Sequence, residues 1–417
     1  MTVDTAKPSV FDASLPIEFD PGRQCHLYKD NKIGRMDRDQ LVDLTRRALK
    51  LARDRTTDLS PAEYRVDAHT YTSTARHADD IAMLLASPQL VGYASELPKP
   101  GSYCTKTVMG RSILLTRTSD GSVKSFDNVC LHRQSQIAEG CGSARRLVCP
   151  YHAWNYDLDG NLVGVPGKEG FPESSTGKAK LTELPATECA GFLWVGLEPN
   201  ATLDLPGFLG PLADELESWG IGHWAPLGEK VLDTAINWKL AIDTFTENYH
   251  FATVHKTTFA TIARSNCTVF DSFGPHHRLV FPLNGILDLE DVPEEQWEPL
   301  QAMVVIYALF PNIVLSATIA NGELFRVYPG DVPGRSITVH QNSTPLDLSD
   351  ESVAAGAQAV FDYAHSTVRD EDYALVEKLQ ANLASGVREQ LVFGRNEPGL
   401  QHRHETWANA VSREVPR

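Results

Sequence analysis

Two histidines and a carboxylate lie close together in the segment 237–255, NWKLAIDTFTENYHFATVH. Glu247, His250 and His255 fall within nine residues and are interleaved with aromatic side chains. Two imidazoles in apolar surroundings are typical of a buried metal site. Two histidines with one carboxylate are the usual protein ligands of an Fe(II) ion that activates O2. The alternative is a pair of core histidines that only form hydrogen bonds.

The spacing of these residues sets a condition on the backbone. His250 and His255 are five residues apart, so an unbroken helix would point them about 140° away from each other. They share one metal only if the backbone bends between them. Glu247 and His250, three residues apart, lie on one face of a helix.

A second metal-type pattern consists of Cys130-Leu131-His132 and Cys149-Pro150-Tyr151-His152, with sixteen residues between the two motifs. A Cys2His2 zinc finger supplies both cysteines before both histidines. The alternating order here fits a Rieske [2Fe–2S] cluster, in which two thiolates hold one iron and two imidazoles hold the other. Zinc binding is the alternative. The remaining cysteines are interpreted as ordinary small core residues: Cys25, Cys104, Cys141, Cys189 and Cys267.

Composition excludes several classes of protein. A net charge of −16 argues against general nucleic-acid binding, and seven cysteines in 417 residues do not form a disulfide scaffold. We find no signal-peptide pattern at the start and no run of about 20 apolar residues, so we expect a cytoplasmic protein with no membrane contact. No GxGxxG motif follows a strand, which argues against direct nicotinamide binding.

The elements around the motifs change character along the chain. Residues 1–35 predict an extended arm, and an amphipathic helix follows, with Asp37 and Gln40 as a capping box. Short strand-like runs between residues 90 and 129 predict a small antiparallel β domain, and runs between 303 and 341 predict an antiparallel sheet.

A long helix is predicted near the C-terminus, capped by Ser349. Its apolar stripe comprises Val353, Ala357, Val360, Ala364, Val368, Leu375 and Leu379. Asp372 falls on this stripe, and a carboxylate on a buried face must be paired or bound to metal. Two alternatives stay open: Glu371 is the ligand instead, or the stripe drifts and Asp372 is solvated.

With these motifs the chain resembles the oxygenase component, or α subunit, of Rieske-type non-haem iron ring-hydroxylating oxygenases. The resemblance covers roughly residues 60–400 and rests on CLH, CPYH, NWK, ENYHFATVH and the acidic pair at 371–372. Gln134 and Ala153 depart from the family pattern, because glycine is frequent at both positions. Asp243-Thr244 also departs, since many members have an acidic residue followed by Asn.

The resemblance implies an α+β fold, with an antiparallel β Rieske domain followed by a helix-grip catalytic domain. The expected divisions are an arm and helix at 1–60, the Rieske domain at 61–180 and the catalytic domain at 181–417. It implies a [2Fe–2S] cluster on Cys130, His132, Cys149 and His152, and mononuclear Fe(II) on His250, His255 and Asp372. It also implies a homotrimer, with or without a β subunit, in which Glu247 bridges the cluster of one subunit and the iron of its neighbour.

The function implied is that of a terminal oxygenase. It uses O2 and electrons relayed from NAD(P)H by a separate reductase or ferredoxin to hydroxylate an organic, aromatic substrate. Alternatives are an O- or N-demethylase, a monooxygenase of a quaternary ammonium compound held by aromatic rings, and a non-catalytic electron carrier that lacks an iron ligand. Candidate aromatic residues for the pocket, or else for the core, are Phe270, Phe273, Phe281, Tyr307 and Phe310.

Overall fold

The structure is a computed structural model that describes residues 36–413. The predicted arm at 1–35 lies outside the described residues. The strands are β1 Tyr64–Asp67, β2 Gln89–Tyr93, β3 Ser102–Val108, β4 Arg111–Arg117, β5 Val123–Asp127, β6 Cys141–Ser143, β7 Leu147–Val148, β8 Asn155–Tyr156, β9 Leu162–Gly164, β10 Glu183–Leu184, β11 Ala186–Cys189, β12 Phe192–Val195, β13 Ala225–Thr234, β14 Val269–Phe273, β15 His276–Pro282, β16 Met303–Leu309, β17 Ile313–Ala317, β18 Gly322–Pro329, β19 Ser336–Thr344 and β20 Gln390–Phe393.

The α-helices are fewer and mostly short. They are α1 Arg38–Asp54, α2 His69–Thr72, α3 Thr74–Ala86, α4 Glu173–Thr176, α5 Leu205–Leu209, α6 Leu212–Ser218, α7 Trp238–Asp243, α8 Phe251–Val254, α9 Pro299–Ala302, α10 Glu351–Thr367, α11 Ala374–Ala384 and α12 Pro398–Arg413. A π-helical segment, Val368–Tyr373, joins α10 to α11.

Antiparallel sheets form both halves of the molecule, which confirms the predicted α+β class. The first half contains a five-stranded sheet in the order β10-β5-β4-β3-β6 and a three-stranded sheet β7-β8-β9. A further sheet, β11-β12-β2, pairs strands on both sides of residue 180. The second half is a seven-stranded sheet in the order β13-β19-β18-β17-β16-β15-β14. With the long C-terminal helix, this sheet has the predicted helix-grip arrangement.

Helix α1 packs against the seven-stranded sheet in the second half of the chain. Its buried face includes Leu41, Leu44 and Ala48, which join the core cluster formed around the strands of the large sheet. The predicted capping box is wrong. Asp37 does cap the helix, accepting from the Asp39 amide, but the Gln40 side chain donates to Glu215 Oε2 at 2.7 Å instead of returning to the helix start.

The long C-terminal helix differs from its predicted stripe. Its N-cap is Asp350 rather than Ser349. Leu375 is 49% exposed and Val360 is 42% exposed, whereas Phe361 is buried. A π turn accommodates one extra residue per turn, so the face that is buried after Val368–Tyr373 no longer continues the α-helical stripe.

Cys104 and Cys141 correct a further prediction. Cys141 is exposed rather than part of the core, and it forms a disulfide with Cys104. The two residues are directly paired between β3 and β6. This pairing brings together residues 37 apart in sequence, and no local pattern specifies such a register.

Candidate metal centres

The backbone bends at the histidine segment as a shared metal requires. Asn237 caps α7 by accepting from the Lys239 amide, and that helix ends at Asp243. Helix α8 is a single turn between His250 and His255. His255 leaves the helical conformation, with φ −97° and ψ 36°. Both imidazoles consequently point toward one place instead of opposite sides of a helix.

Three ligand-type atoms converge where these imidazoles meet. His250 Nε2 lies 3.1 Å from His255 Nε2, and Asp372 Oδ1 lies 3.1 Å from His255 Nε2 and 3.4 Å from His250 Nε2. Asp372 comes from the π-helical segment and is buried. Single π turns occur frequently at functional sites, and this one turns the Asp372 carboxylate toward the two histidines.

Two more carboxylates hold the outer sides of the imidazole rings. His250 Nδ1 donates to Glu247 Oε1, and His255 Nδ1 donates to Glu371 Oε2 at 2.6 Å. With each Nδ1 protonated, each Nε2 presents its lone pair to the shared point, the usual arrangement around a metal. Glu371, the rival ligand in the sequence, therefore contacts the far side of His255, while Asp372 faces both Nε2 atoms.

The electrostatics of this site favour a positive charge. Burial lowers the pKa of His250, but hydrogen bonds to Asp372 and Glu247 outweigh it and raise that pKa to about 10. Burial raises the pKa of Asp372, yet its hydrogen bonds to the two histidines lower it overall. The site therefore stabilises a cation. Its donor set, two imidazoles and one carboxylate, fits Fe(II).

The Cys-His motifs form a matched pair of loops. The Gln134 amide donates to the Cys130 carbonyl at 3.0 Å, and the Ala153 amide donates to the Cys149 carbonyl at 3.0 Å. Both cysteines are buried, and the rings of His132 and His152 lie 4.6 Å apart between centroids. This donor set, two thiolates and two imidazoles, fits a Rieske cluster.

The Nδ1 atoms of His132 and His152 supply a second indication of that fit. Both atoms are buried and have no hydrogen-bond partner within residues 36–413. Trp154 stacks on the His132 ring at 4.9 Å, and the Tyr156 hydroxyl lies 3.3 Å from Cys130 Sγ. A buried, unpaired nitrogen is costly unless something binds it, and coordination to iron would satisfy both.

Gln134 and Ala153 show why glycine is frequent at their positions. Their φ angles are 59° and 56°, in the left-handed region, which costs a non-glycine residue about 1–2 kcal/mol. We expect Ala153→Gly to raise the free energy of unfolding by about 1 kcal/mol. Denaturant titration that follows the visible absorbance of the cluster measures this. Ala144→Gly, at a nearby position without positive φ, is the control and should destabilise. Equal destabilisation by both changes would contradict the explanation.

A cavity of about 240 Å³ opens beside the histidine site. Its walls come from the large sheet, α10 and the segment around α8, and they include His255 and Asp372. Six aromatic residues line it: Phe245, Phe251, Phe259, Phe281, Phe325 and Tyr363. Of the aromatic residues proposed from sequence, only Phe281 lines this cavity. The others lie outside its lining, and Tyr307 is buried where it donates to Glu215 at 2.6 Å.

Sequence reasoning missed Glu323 in the cavity wall. Its signal was a charged residue within GELFRVYP, an otherwise largely apolar strand, which we interpreted only as sheet. Within residues 36–413, no helix has the length and apolar character needed to cross a bilayer.

Family models match both halves of the chain. The model described as "Rieske [2Fe-2S] domain" matches residues 87–181, and the model described as "Ring hydroxylating alpha subunit (catalytic domain)" matches residues 221–413. The chain is a Rieske-type ring-hydroxylating oxygenase α subunit. As a Rieske non-haem iron oxygenase, it works with a [2Fe–2S] cluster and a mononuclear iron, and with substrate, O2 and a separate reductase.

Named relatives of this Rieske oxygenase include the carnitine monooxygenase oxygenase subunit of Escherichia coli (strain K12). It is 29% identical over 333 residues, which cover 76% of this chain and 86% of that protein. The glycine betaine monooxygenase oxygenase subunit of Chromohalobacter salexigens is 34% identical over 168 residues, 40% of this chain and 37% of that protein. The fold resembles a crystal structure of the quaternary ammonium Rieske monooxygenase CntA with an inhibitor, at TM-score 0.72, 21% identity and coverage of 91% and 99%.

Proposed function

We propose that this Rieske oxygenase is a terminal monooxygenase for a small organic compound that carries a positively charged nitrogen. The observation that carries the proposal is the composition of the cavity, whose wall combines six aromatic rings with the carboxylate of Glu323. Aromatic faces attract organic cations. The relatives named for carnitine and glycine betaine support the same class.

An aromatic hydrocarbon is the second candidate, because aromatic walls also pack against apolar rings. A hydrocarbon substrate accounts less well for Glu323. When bound, it would shield that carboxylate from water and offer it no partner, and burial of an unpaired charge costs free energy. The two candidates separate in an assay of substrate-dependent O2 uptake with a surrogate reductase. Quaternary ammonium compounds should support product-coupled uptake. Uptake coupled only to aromatic acids or phenol ethers would refute the proposal.

The proposed metal ligands are those brought together by the two sites. His250, His255 and Asp372 would hold the mononuclear iron, and four side chains of the two Cys-His motifs would hold the cluster: Cys130, His132, Cys149 and His152. When bound, these groups supply one-electron transfer and O2 activation.

Other residues of the chain would position the ligands and the substrate. Glu247 and Glu371 orient the two iron histidines through their Nδ1 protons. Phe251 and Phe259 pack against the His255 ring at 5.3 and 5.1 Å and exclude water from the place where the substrate carbon would react.

The proposed assembly is a homotrimer, with or without a β subunit, that receives electrons from an NAD(P)H-dependent reductase or a ferredoxin. The proposed divisions of the chain remain 1–60, 61–180 and 181–417. Within residues 36–413, the hydrogen-bond partners of the Glu247 carboxylate are Tyr249 and His250. In the proposed assembly, the bond that joins Glu247 to a cluster would come from the partner subunit's His152.

Complementation between two inactive variants tests this assembly. Cys149→Ser removes a cluster ligand and Asp372→Ala removes an iron ligand, so each homo-oligomer should be inactive. In co-expressed mixtures, a cluster from one subunit can serve the iron of its neighbour. Random pairing then predicts activity of about one quarter of wild type. The measurement is turnover per chain of the whole co-expressed population, homo-oligomers included. Absence of any recovery in verified mixed oligomers would refute transfer between subunits.

A further inference from the structure

Glu323 lies in a polar row across the inner face of the large sheet. It is paired with Ser316 of β17 on one side and with Asn342 of β19 on the other. Its Oε1 accepts from Asn321 Nδ2 at 3.2 Å and from Asn342 Nδ2 at 3.5 Å. Two amide donors fix the carboxylate in place but bring no positive charge to it.

Neighbouring residues of β18 show that this charge faces the cavity. Side chains alternate between the two faces of a strand, and Phe325 lines the cavity together with Glu323. Arg326, one position further, points the other way and pairs with Glu229 at 2.5 Å. The one arginine of this strand is therefore committed to the opposite face and cannot neutralise Glu323.

The other acids of the cavity wall have partners, whereas Glu323 has no charged one. Glu247 accepts from His250, and Asp372 contacts both iron histidines. Within the described part of the chain, no lysine or arginine lines the cavity and none forms an ion pair with Glu323. Burial raises the pKa of Glu323 to about 7, as expected for a buried carboxylate without a positively charged neighbour.

We infer that Glu323 is the counter-ion of the substrate's positively charged nitrogen, and that the substrate is an ammonium compound without a carboxylate. This inference rests on the proposed function and narrows it. Carnitine and glycine betaine, for which the relatives are named, both join a trimethylammonium group to a carboxylate. Such a zwitterion would bring a second negative charge into a cavity whose described wall offers no lysine or arginine to receive it.

The size of the cavity agrees with a small ion. At about 240 Å³, it falls just below the roughly 300–1,000 Å³ of pockets for drug-sized ligands. Choline is the appropriate probe, because it has a quaternary nitrogen and no carboxylate. Its neutral isostere 3,3-dimethyl-1-butanol replaces nitrogen by carbon, and glycine betaine adds the carboxylate.

The experiment compares kcat/KM for these three compounds in the reconstituted holoenzyme with a surrogate reductase. In the wild type, the kcat/KM of choline should exceed that of each of the other two compounds by at least about 30-fold, the size expected for a desolvated organic cation held by aromatic faces. Glu323→Gln should reduce the value for choline by a similar factor, mainly through KM, and leave the isostere within about threefold. Glu377→Gln, which removes an exposed charge on α11, is the matched control and should change neither ratio.

Two results would overturn the inference: a wild-type preference for glycine betaine over choline, or an unchanged ratio of choline to isostere in Glu323→Gln. Preference for betaine leaves the proposed function standing, whereas turnover of aromatic compounds alone refutes both. If the Glu323→Gln variant loses iron or cluster, the inference is tested instead by inhibition of choline turnover in the wild type. Tetramethylammonium should then inhibit at least about tenfold more strongly than the neutral isostere, and equal inhibition would overturn the inference.

Discussion

Asp372→Ala is expected to abolish retention of the mononuclear iron and to lower turnover by at least about 1,000-fold, while the visible spectrum of the Rieske cluster stays intact. Asp372 Oδ1 is the acceptor atom that faces both Nε2 atoms, at 3.1 and 3.4 Å. Without it, two neutral imidazoles would hold a divalent ion in a buried site without a neutralising ligand. Iron content per chain and single-turnover product yield measure the loss.

Glu371→Ala is the control for this prediction, because the two carboxylates are adjacent in sequence but have different partners. Glu371 touches His255 Nδ1 and the Thr258 hydroxyl, so its removal should weaken iron binding or activity by about 10–100-fold, as is typical of outer partners of a metal ligand. The assignment is wrong if Asp372→Ala keeps full iron and turnover and Glu371→Ala is the inactive variant.

Glu247→Gln is expected to keep the cluster and most of the iron but to slow electron transfer between them by at least about 100-fold. Glu247 accepts a hydrogen bond from His250 Nδ1 and is only 12% exposed. The hypothesis is that it also accepts one from the partner subunit's His152. The glutamine retains the size of the side chain but loses the charge, and one end of its amide offers N–H where an acceptor is needed.

Arg133 must move for this bridge to form. In the single chain its guanidinium donates to His152 Nε2 at 2.7 Å and lies over the Tyr151 ring. If His152 Nδ1 bound iron, His152 Nε2 would carry the ring proton and could not accept a hydrogen bond from Arg133. This Nε2–H would then be free to donate to a carboxylate. We therefore expect the partner subunit to displace Arg133 from this nitrogen.

The measurement for Glu247→Gln is reoxidation of the chemically reduced cluster after substrate and O2 are added in a single turnover. Glu371→Gln makes the same chemical change beside the other histidine, His255, and its cluster should reoxidise at least about tenfold faster than that of Glu247→Gln. Rapid reoxidation with a normal product yield in Glu247→Gln would rule out the bridge. Loss of iron in that variant would instead make Glu247 a ligand and Asp372 the outer residue.

The amino-acid sequence alone indicates which residue types could hold metals and in what order along the chain. The alternation of cysteine and histidine at 130–132 and 149–152 is a local property, because each loop needs only a few residues to aim two donors. The five-residue separation of His250 and His255 likewise dictated a bend, and the single turn of α8 provides it. The family and the α+β fold followed from these motifs and were confirmed.

The apolar stripe favoured Asp372 over Glu371, and the fold turns the Asp372 carboxylate toward both histidines, while its role as a metal ligand stays a prediction. Neighbouring residues on a helix point about 100° apart, and which of them faces the histidines depends on a π turn that the hydrophobic stripe did not reveal. The Cys104–Cys141 disulfide and the polar row through Glu323 depend on pairing between strands. Such pairing brings together residues that are distant in sequence, so neither the disulfide nor the unmatched charge in the cavity could be predicted from local spacing.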